Sequence, residues 1–326
     1  MSKLIVVTGV TGTQGSSVAE TFLSLPGWRV RGITRNPSGK AATALAESGV
    51  EIVEGDLDDL TSLQLAFADA NVVFCNTDFF GHLFQAVGTG HPQPLKHAYD
   101  REVQQGVNIA QAAATSKTLK TLELFVFSAL PDGKKWSNGK YTHFYHFDSK
   151  VDVVKAINDH FPDLAEHMSL LHIGHYVENW KSSPLMAPGK DENGTYVFKR
   201  TFSPDFAMPF IVASKDTGPY VKALVGLPPG QNIFAVSEYM KLPDWVRQWG
   251  DVLGVKAKYQ QVSDDEFFEG APPAFKQEFV DNFHYVEDFG YTGGDPDIKT
   301  LDQIGVGVSV TSMKDYFKGE DWSSVL

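Results

Sequence analysis

The stretch "KLIVVTGVTGTQG", residues 3–15, constrains the fold more than any other part of this chain. A β-branched apolar run at 3–8 meets Gly9. Val18, Ala19, Phe22 and Leu25 then follow at helical spacing until Pro26 and Gly27 end the pattern. Strand, turn and helix in that order put Gly9, Gly12 and Gly15 at the turn. There the absence of a β-carbon lets backbone amides and a helix N-terminus approach an anionic group closely.

The pattern repeats, with strands expected at 28–34, 50–54, 71–76, 122–128 and 168–175 and helices near 40–48, 61–68, 98–116 and 148–160. Such alternation requires a parallel sheet covered on both faces, an α/β Rossmann doubly wound architecture. Beyond about residue 176 the alternation weakens into stretches such as "SSPLMAP", "FSPDFAMPF" and "EGAPPAF". Residues 1–165 are therefore expected to form an NAD(P)-binding domain, with a stretch near 205–240 as a candidate to return to it. Residues 166–326 are expected to form a smaller mixed α/β domain for substrate or partner.

Composition removes several function classes. A chain of 326 residues with 42% hydrophobic content can bury a large core. Its charge of −12, from 28 bases and 40 acids without a basic run, offers no electrostatic footprint for direct nucleic-acid binding. Cys75 is the single cysteine, which excludes an internal disulfide and a thiolate metal cluster. No apolar stretch approaches the ~20 residues of a membrane span, and Leu4–Val7 is too short for a signal-peptide core, so a cytoplasmic or nuclear location is expected. His172 and His175 should lie on opposite faces of a strand, and "HFYH" at 143–146 has no carboxylate at ligand spacing. No metal site is expected.

The glycine turn follows the first strand and opens a helix, as a dinucleotide site requires. The second strand runs into "TRNPSGK". Arg35, where an NAD site usually carries an acid, and Lys40 suit the 2′-phosphate of NADP(H), with NAD(H) the lesser candidate. Asp56 in "EGDLDD" either accepts the adenine amino group or caps the next helix.

These motifs, with "FVFSAL" at 125–130, "HFDSK" at 146–150 and "YVEN" at 176–179, resemble the NmrA-like family, an atypical branch of the short-chain dehydrogenases. The resemblance implies a Rossmann domain, a smaller C-terminal domain and a dinucleotide in the cleft between them. It implies Thr11, Thr13 and Gln14 with the three glycines around the pyrophosphate, Asn76 or Thr77 beside the nicotinamide, and Lys150 on its ribose. Some family members act through protein partners and others transfer hydride. The segment 77–97 departs from the family pattern as a longer, aromatic connection, a candidate lid.

An ordinary short-chain dehydrogenase has a tyrosine four residues before its lysine; here His146 stands there. An imidazole can donate a proton near neutral pH, and Ser128 at the end of the fifth strand is positioned to touch a substrate carbonyl. Two functions follow. The leading one is a cofactor-sensing regulator that signals to a protein partner, which the missing tyrosine favours. The other is an NADPH-dependent reductase of a carbonyl, quinone or imine, with Phe79, Phe80, Phe84, Tyr176 and Asn179 lining the substrate pocket. A homodimer is compatible with either.

Overall fold

The computed structural model describes residues 2–326. The first half runs β1 (Lys3–Val7), α1 (Thr13–Leu23), β2 (Trp28–Thr34), α2 (Lys40–Glu47), β3 (Glu51–Glu54), α3 (Leu60–Ala66), β4 (Val72–Cys75), α4 (Phe79–Gly88), α5 (Pro94–Ala113), α6 (Ser116–Leu119), β5 (Leu124–Ala129), α7 (Gly133–Trp136), α8 (Tyr145–His160) and α9 (Pro162–Ala165). The second continues through β6 (Met168–Ile173), β7 (His175–Tyr176), β8 (Gly189–Lys190), β9 (Tyr196–Arg200), β10 (Ala207–Ile211), α10 (Ala213–Val225), β11 (Asn232–Ala235) and β12 (Glu238–Lys241). It ends with α11 (Leu242–Leu253), β13 (Ala257–Gln261), α12 (Asp264–Phe267), α13 (Pro273–Phe289) and α14 (Met313–Gly319).

Seven strands form one sheet in the order β11-β6-β5-β4-β1-β2-β3, with every pairing parallel. Its central strands are apolar apart from Ser128 because both faces are covered; all of "VVFC" in β4 and "LFVFSA" in β5 is buried. The strand order reverses between β1 and β4, so the crevice past their carboxyl ends is the topological switch point where such sheets bind ligands. Cys75 is buried on β4, and burial pushes its thiol well above the ordinary range.

Two small sheets, β12-β10-β7 and β13-β9-β8, build the other part around an aromatic core that includes Phe198, Phe210, Phe317 and Trp322. Trp245 and Trp249, four apart on α11, are both buried there. No helix among the described residues is long and apolar enough to cross a membrane.

Three expectations change. The segment 77–97 is not a long open connection. Asp78 accepts from the Gly81 N–H (2.8 Å) and caps α4, and Phe79, His82, Leu83 and Ala86 form one buried helical face that packs toward α5. Gly81 and Gly88 hid that periodicity. The strand expected at 168–175 breaks at Gly174, whose N–H donates to Ala235 O (3.0 Å) and whose added β-carbon would lie 2.6 Å from Pro209 O. The chain leaves the large sheet there, so His172 and His175 lie in different sheets. Finally, α8 starts at Tyr145 and α5 at Pro94, each earlier than the apolar spacing predicts.

Helices α1 and α10 cross closely at Gly218, whose N–H donates to Ser17 Oγ (2.9 Å). A β-carbon there would collide with Ser17 O and lie 2.7 Å from Thr21 Cβ. Helix propensity favours alanine by about 1 kcal/mol, but backbone overpacking outweighs it, so Gly218→Ala should lower stability by roughly 1–2 kcal/mol in urea unfolding.

Candidate functional site

The crevice at the switch point is built on Thr8. Its Oγ1 accepts from the Asn76 N–H (3.0 Å) and donates to the Asn76 oxygens (3.2 Å), tying the end of β1 to the end of β4. Gly9 takes φ +57, and a β-carbon on it would lie 2.7 Å from Asn76 Oδ1. A β-carbon on Gly15 would strike Gly9 O, so α1 starts hard against the turn. Gly12 is the N-cap of α1 and supplies no side-chain cap. The first-turn amides of Thr13, Gln14 and Gly15 thus end the helix without a capping side chain, and Thr11 and Thr13 are exposed beside them. Gln14 donates through Nε2 to Tyr176 Oη, while its Oε1 is buried without a partner.

Arg35 and Lys40, past the end of β2, are exposed, and neither forms an ion pair among the described residues. Asp56 does not cap α3. Asp59 does, accepting from the Thr61 N–H (2.9 Å), while Asp56 Oδ1 accepts from the Asp58 N–H (3.0 Å) in a local turn.

Lys150 lies on α8 with its ammonium near the end of β4. Nζ donates to Glu102 Oε1 (2.6 Å) and Thr77 Oγ1 (3.0 Å); Thr77 also donates to Glu102 Oε1 (2.6 Å), and Ser149 Oγ donates to the other carboxylate oxygen. Glu102 has no solvent exposure. Its signal in the sequence was an acid on the buried stripe Ala98, Gln105, Gly106 and Ile109 of α5, where a charge needs a partner.

His146 lies one turn before Lys150 on the same face of α8. Its Nδ1 pairs with Glu278 Oε1, and that carboxylate also accepts the backbone N–H groups of Tyr145 (3.0 Å) and His146 (2.9 Å). Glu278 is fully buried on α13 and caps the start of α8 from outside. Nothing local in the sequence links positions so far apart. His143, which precedes α8, pairs separately with Asp281 (3.2 Å), so the two imidazoles do not share a site. No group of three or more His, Cys, Asp or Glu among the described residues could hold a metal ion.

The five expected pocket residues divide between two places. The ring centroids of Phe79 and Phe80 lie 5.9 and 5.2 Å from that of His146, Phe80 stacks on Phe279 at 5.8 Å, and half-exposed Phe84 packs toward Phe275 at 5.6 Å. Tyr176 and Asn179 instead line a recess among the small sheets. The split arises because α4 turns its aromatic side chains toward α8 and α13. Ser128 is buried at the end of β5, in register with Leu171.

Within "HFDSK", Asp148 meets Lys134 (2.5 Å), yet burial pushes its carboxyl up to about 6. It therefore binds its proton more tightly folded than unfolded, which favours the fold below about pH 4 and fades as pH rises through 6. Asp148→Asn should flatten this dependence, and wild type should lose about 2 kcal/mol more than the variant between pH 4 and 7 in urea unfolding. Glu102→Gln leaves the Lys150 charge buried without its counter-ion. It should cost about 3–5 kcal/mol in the same measurement, while Lys3→Gln in the exposed Lys3–Glu123 pair should cost under about 1.

Comparison with known proteins places this architecture among relatives. The profile of the NmrA-like family matches residues 1–323. An NmrA-like family domain-containing oxidoreductase of Aspergillus hancockii is 28% identical over 279 residues, covering 82% of this chain and 78% of its own. Another, from Aspergillus campestris, is 24% identical over 312 residues, covering 91% and 87%. Among solved structures, NmrA, a negative transcriptional regulator in complex with NADP, superimposes with a TM-score of 0.69 at 20% identity, over 98% of this chain and 90% of that one. The Citrobacter sp. triphenylmethane reductase complexed with NADP(H) gives 0.67 at 17% identity, over 98% and 99%. With the profile spanning all but its last three residues, the chain belongs to the NmrA-like family.

Proposed function

We propose that this chain binds NADP(H) across the switch point and reduces a small-molecule carbonyl, quinone or imine. The residues fit a dinucleotide. The uncapped start of α1 and the glycine contacts leave room and donors for a pyrophosphate, and the unpaired Arg35 suits a 2′-phosphate. Thr11, Thr13 and Gln14 would complete the cradle, Asn76 and Thr77 would flank the nicotinamide, and Asp56 would accept from the adenine. When bound, the reduced nicotinamide supplies a hydride to the substrate carbon.

The observation that carries the reductase function is the buried His146–Glu278 pair one helical turn before Lys150. Glu278 engages Nδ1 and so leaves Nε2 as the ring nitrogen for proton exchange. His146 would deliver a proton to the substrate oxygen or nitrogen, Lys150 would hold the ribose with the donor that Glu102 and Thr77 do not use, and Ser128 would orient the substrate. That several curated relatives are named oxidoreductases supports this function.

A second function, a cofactor sensor read by a protein partner, is favoured by a different observation. His146 is only 9% exposed and sits against Phe79, Phe80, Phe147 and Phe279, a setting that hinders proton exchange. Lys150 would then serve only to bind ribose.

Purified protein should consume NADPH with at least one member of a carbonyl, quinone and imine panel. His146→Phe and Lys150→Met should lose most of that turnover while cofactor binding by His146→Phe persists. Tight NADPH binding with no consumption across the panel would favour the sensor. Arg35→Glu should weaken NADPH binding at least tenfold and NADH binding far less, measured by calorimetry.

A further inference from the structure

The recess lined by Tyr176 and Asn179 holds a buried indole N–H without an acceptor and a guanidinium without a counter-ion. Arg200, at the end of β9, reaches into it. Its Nη1 donates to Lys199 O and its Nη2 to Met186 O, both at 2.6 Å, which leaves most of the guanidinium fork unclaimed. No carboxylate pairs with it among the described residues. Trp245 also lines the recess, and its indole N–H is buried with no acceptor within reach. Tyr259 Oη has already given its proton to Phe202 O. His175 on the same wall is held neutral at ordinary pH, burial pulling it down to about 4, with the Arg200 charge adding to the shift.

A buried donor without an acceptor costs on the order of 1–3 kcal/mol, and a half-buried guanidinium without a counter-ion costs more. A guanidinium without a carboxylate partner and a buried indole N–H without an acceptor, both on residues that line one recess, therefore match a ligand rich in acceptors. The walls beside them, Phe198, Phe210 and Trp245, are aromatic. About 30 Å³ is open to water-sized groups, room for a carboxylate head but not for a whole ligand. Tyr176 connects the recess to the glycine turn, since its hydroxyl accepts from Gln14.

We propose that this recess is an anion subsite that takes the carboxylate of an aromatic acid, with the Arg200 guanidinium as counter-ion, the Trp245 N–H as a second donor, and the apolar body extending past Tyr176 toward the cofactor crevice. Its role as a substrate anchor rests on the reductase function proposed above; its capacity to bind does not.

The test uses 3-phenylpropanoate and its neutral isostere 3-phenylpropanamide, titrated calorimetrically into the whole chain without cofactor. The acid should bind at least tenfold more tightly than the amide, and Arg200→Gln should abolish that preference. Trp245→Phe should weaken the acid severalfold more than the amide. Equal binding of acid and amide by wild type, no acid binding at millimolar concentration, or an unchanged preference in a folded Arg200→Gln variant would each overturn the subsite. The wild-type comparison decides the matter even where Arg200→Gln fails to fold. Acid binding by a protein that takes up no NADPH would uphold the subsite and defeat the reductase function.

Discussion

The candidate site depends on one carboxylate with no access to water. Glu102 lies where no solvent reaches its oxygens, so neighbouring donors must satisfy them, and Thr77, Ser149 and Lys150 all converge on it. The consequence is positional. The ammonium is drawn toward the end of β4, beside the crevice where the order of the sheet reverses, and α8 is held against α5. An unpaired lysine on an exposed helix would search many rotamers; this one is confined by two hydrogen bonds.

The same device recurs elsewhere in the molecule, and in one instance joins its two halves. Glu278 comes from α13 and satisfies the first amides of α8 while pairing with His146. Glu178, just past β7, accepts from the amides of Ala213 and Ser214 at the start of α10 (3.3 and 3.0 Å). Asp216 on α10 accepts from the Thr311 amide and hydroxyl near the C-terminus. Each buried carboxylate meets donors, two of the three sets at a helix start, where orphan amides and the helix dipole favour negative charge. The rest of the junction is apolar packing, which fills space but does not dictate orientation. Hydrogen-bonded carboxylates do both, because an unmatched one is costly.

Much of the large sheet was legible from sequence. The runs that became β1, β4 and β5 are short, largely apolar and bounded by turn residues, and period alone distinguishes them from the helices between. The glycine turn was equally legible, since its residue types answer a local backbone requirement at Gly9 and a close approach at Gly15. Helix α4 was missed because glycines interrupt its pattern, and the break at Gly174 because an apolar run does not reveal which sheet it joins. Asp56 and Asp59 illustrate the limit at the scale of a single cap. The sequence suggested Asp56 as the cap of α3, and only backbone geometry selects Asp59.

The sequence by itself determined the alternating parallel sheet, the glycine-lined turn after β1, the placement of Arg35 past β2 and the spacing of His146 and Lys150 along one helical face. All of these follow from local periodicity and from the steric freedom of single residues. Only the tertiary structure decided which acids meet His146 and Lys150, how the five aromatic and polar pocket candidates divide between α4 and the small sheets, and that Arg200 faces a recess without a counter-ion. Those outcomes depend on contacts between positions far apart in the chain, and they are set by the cost of burying charge rather than by any pattern a neighbouring residue carries.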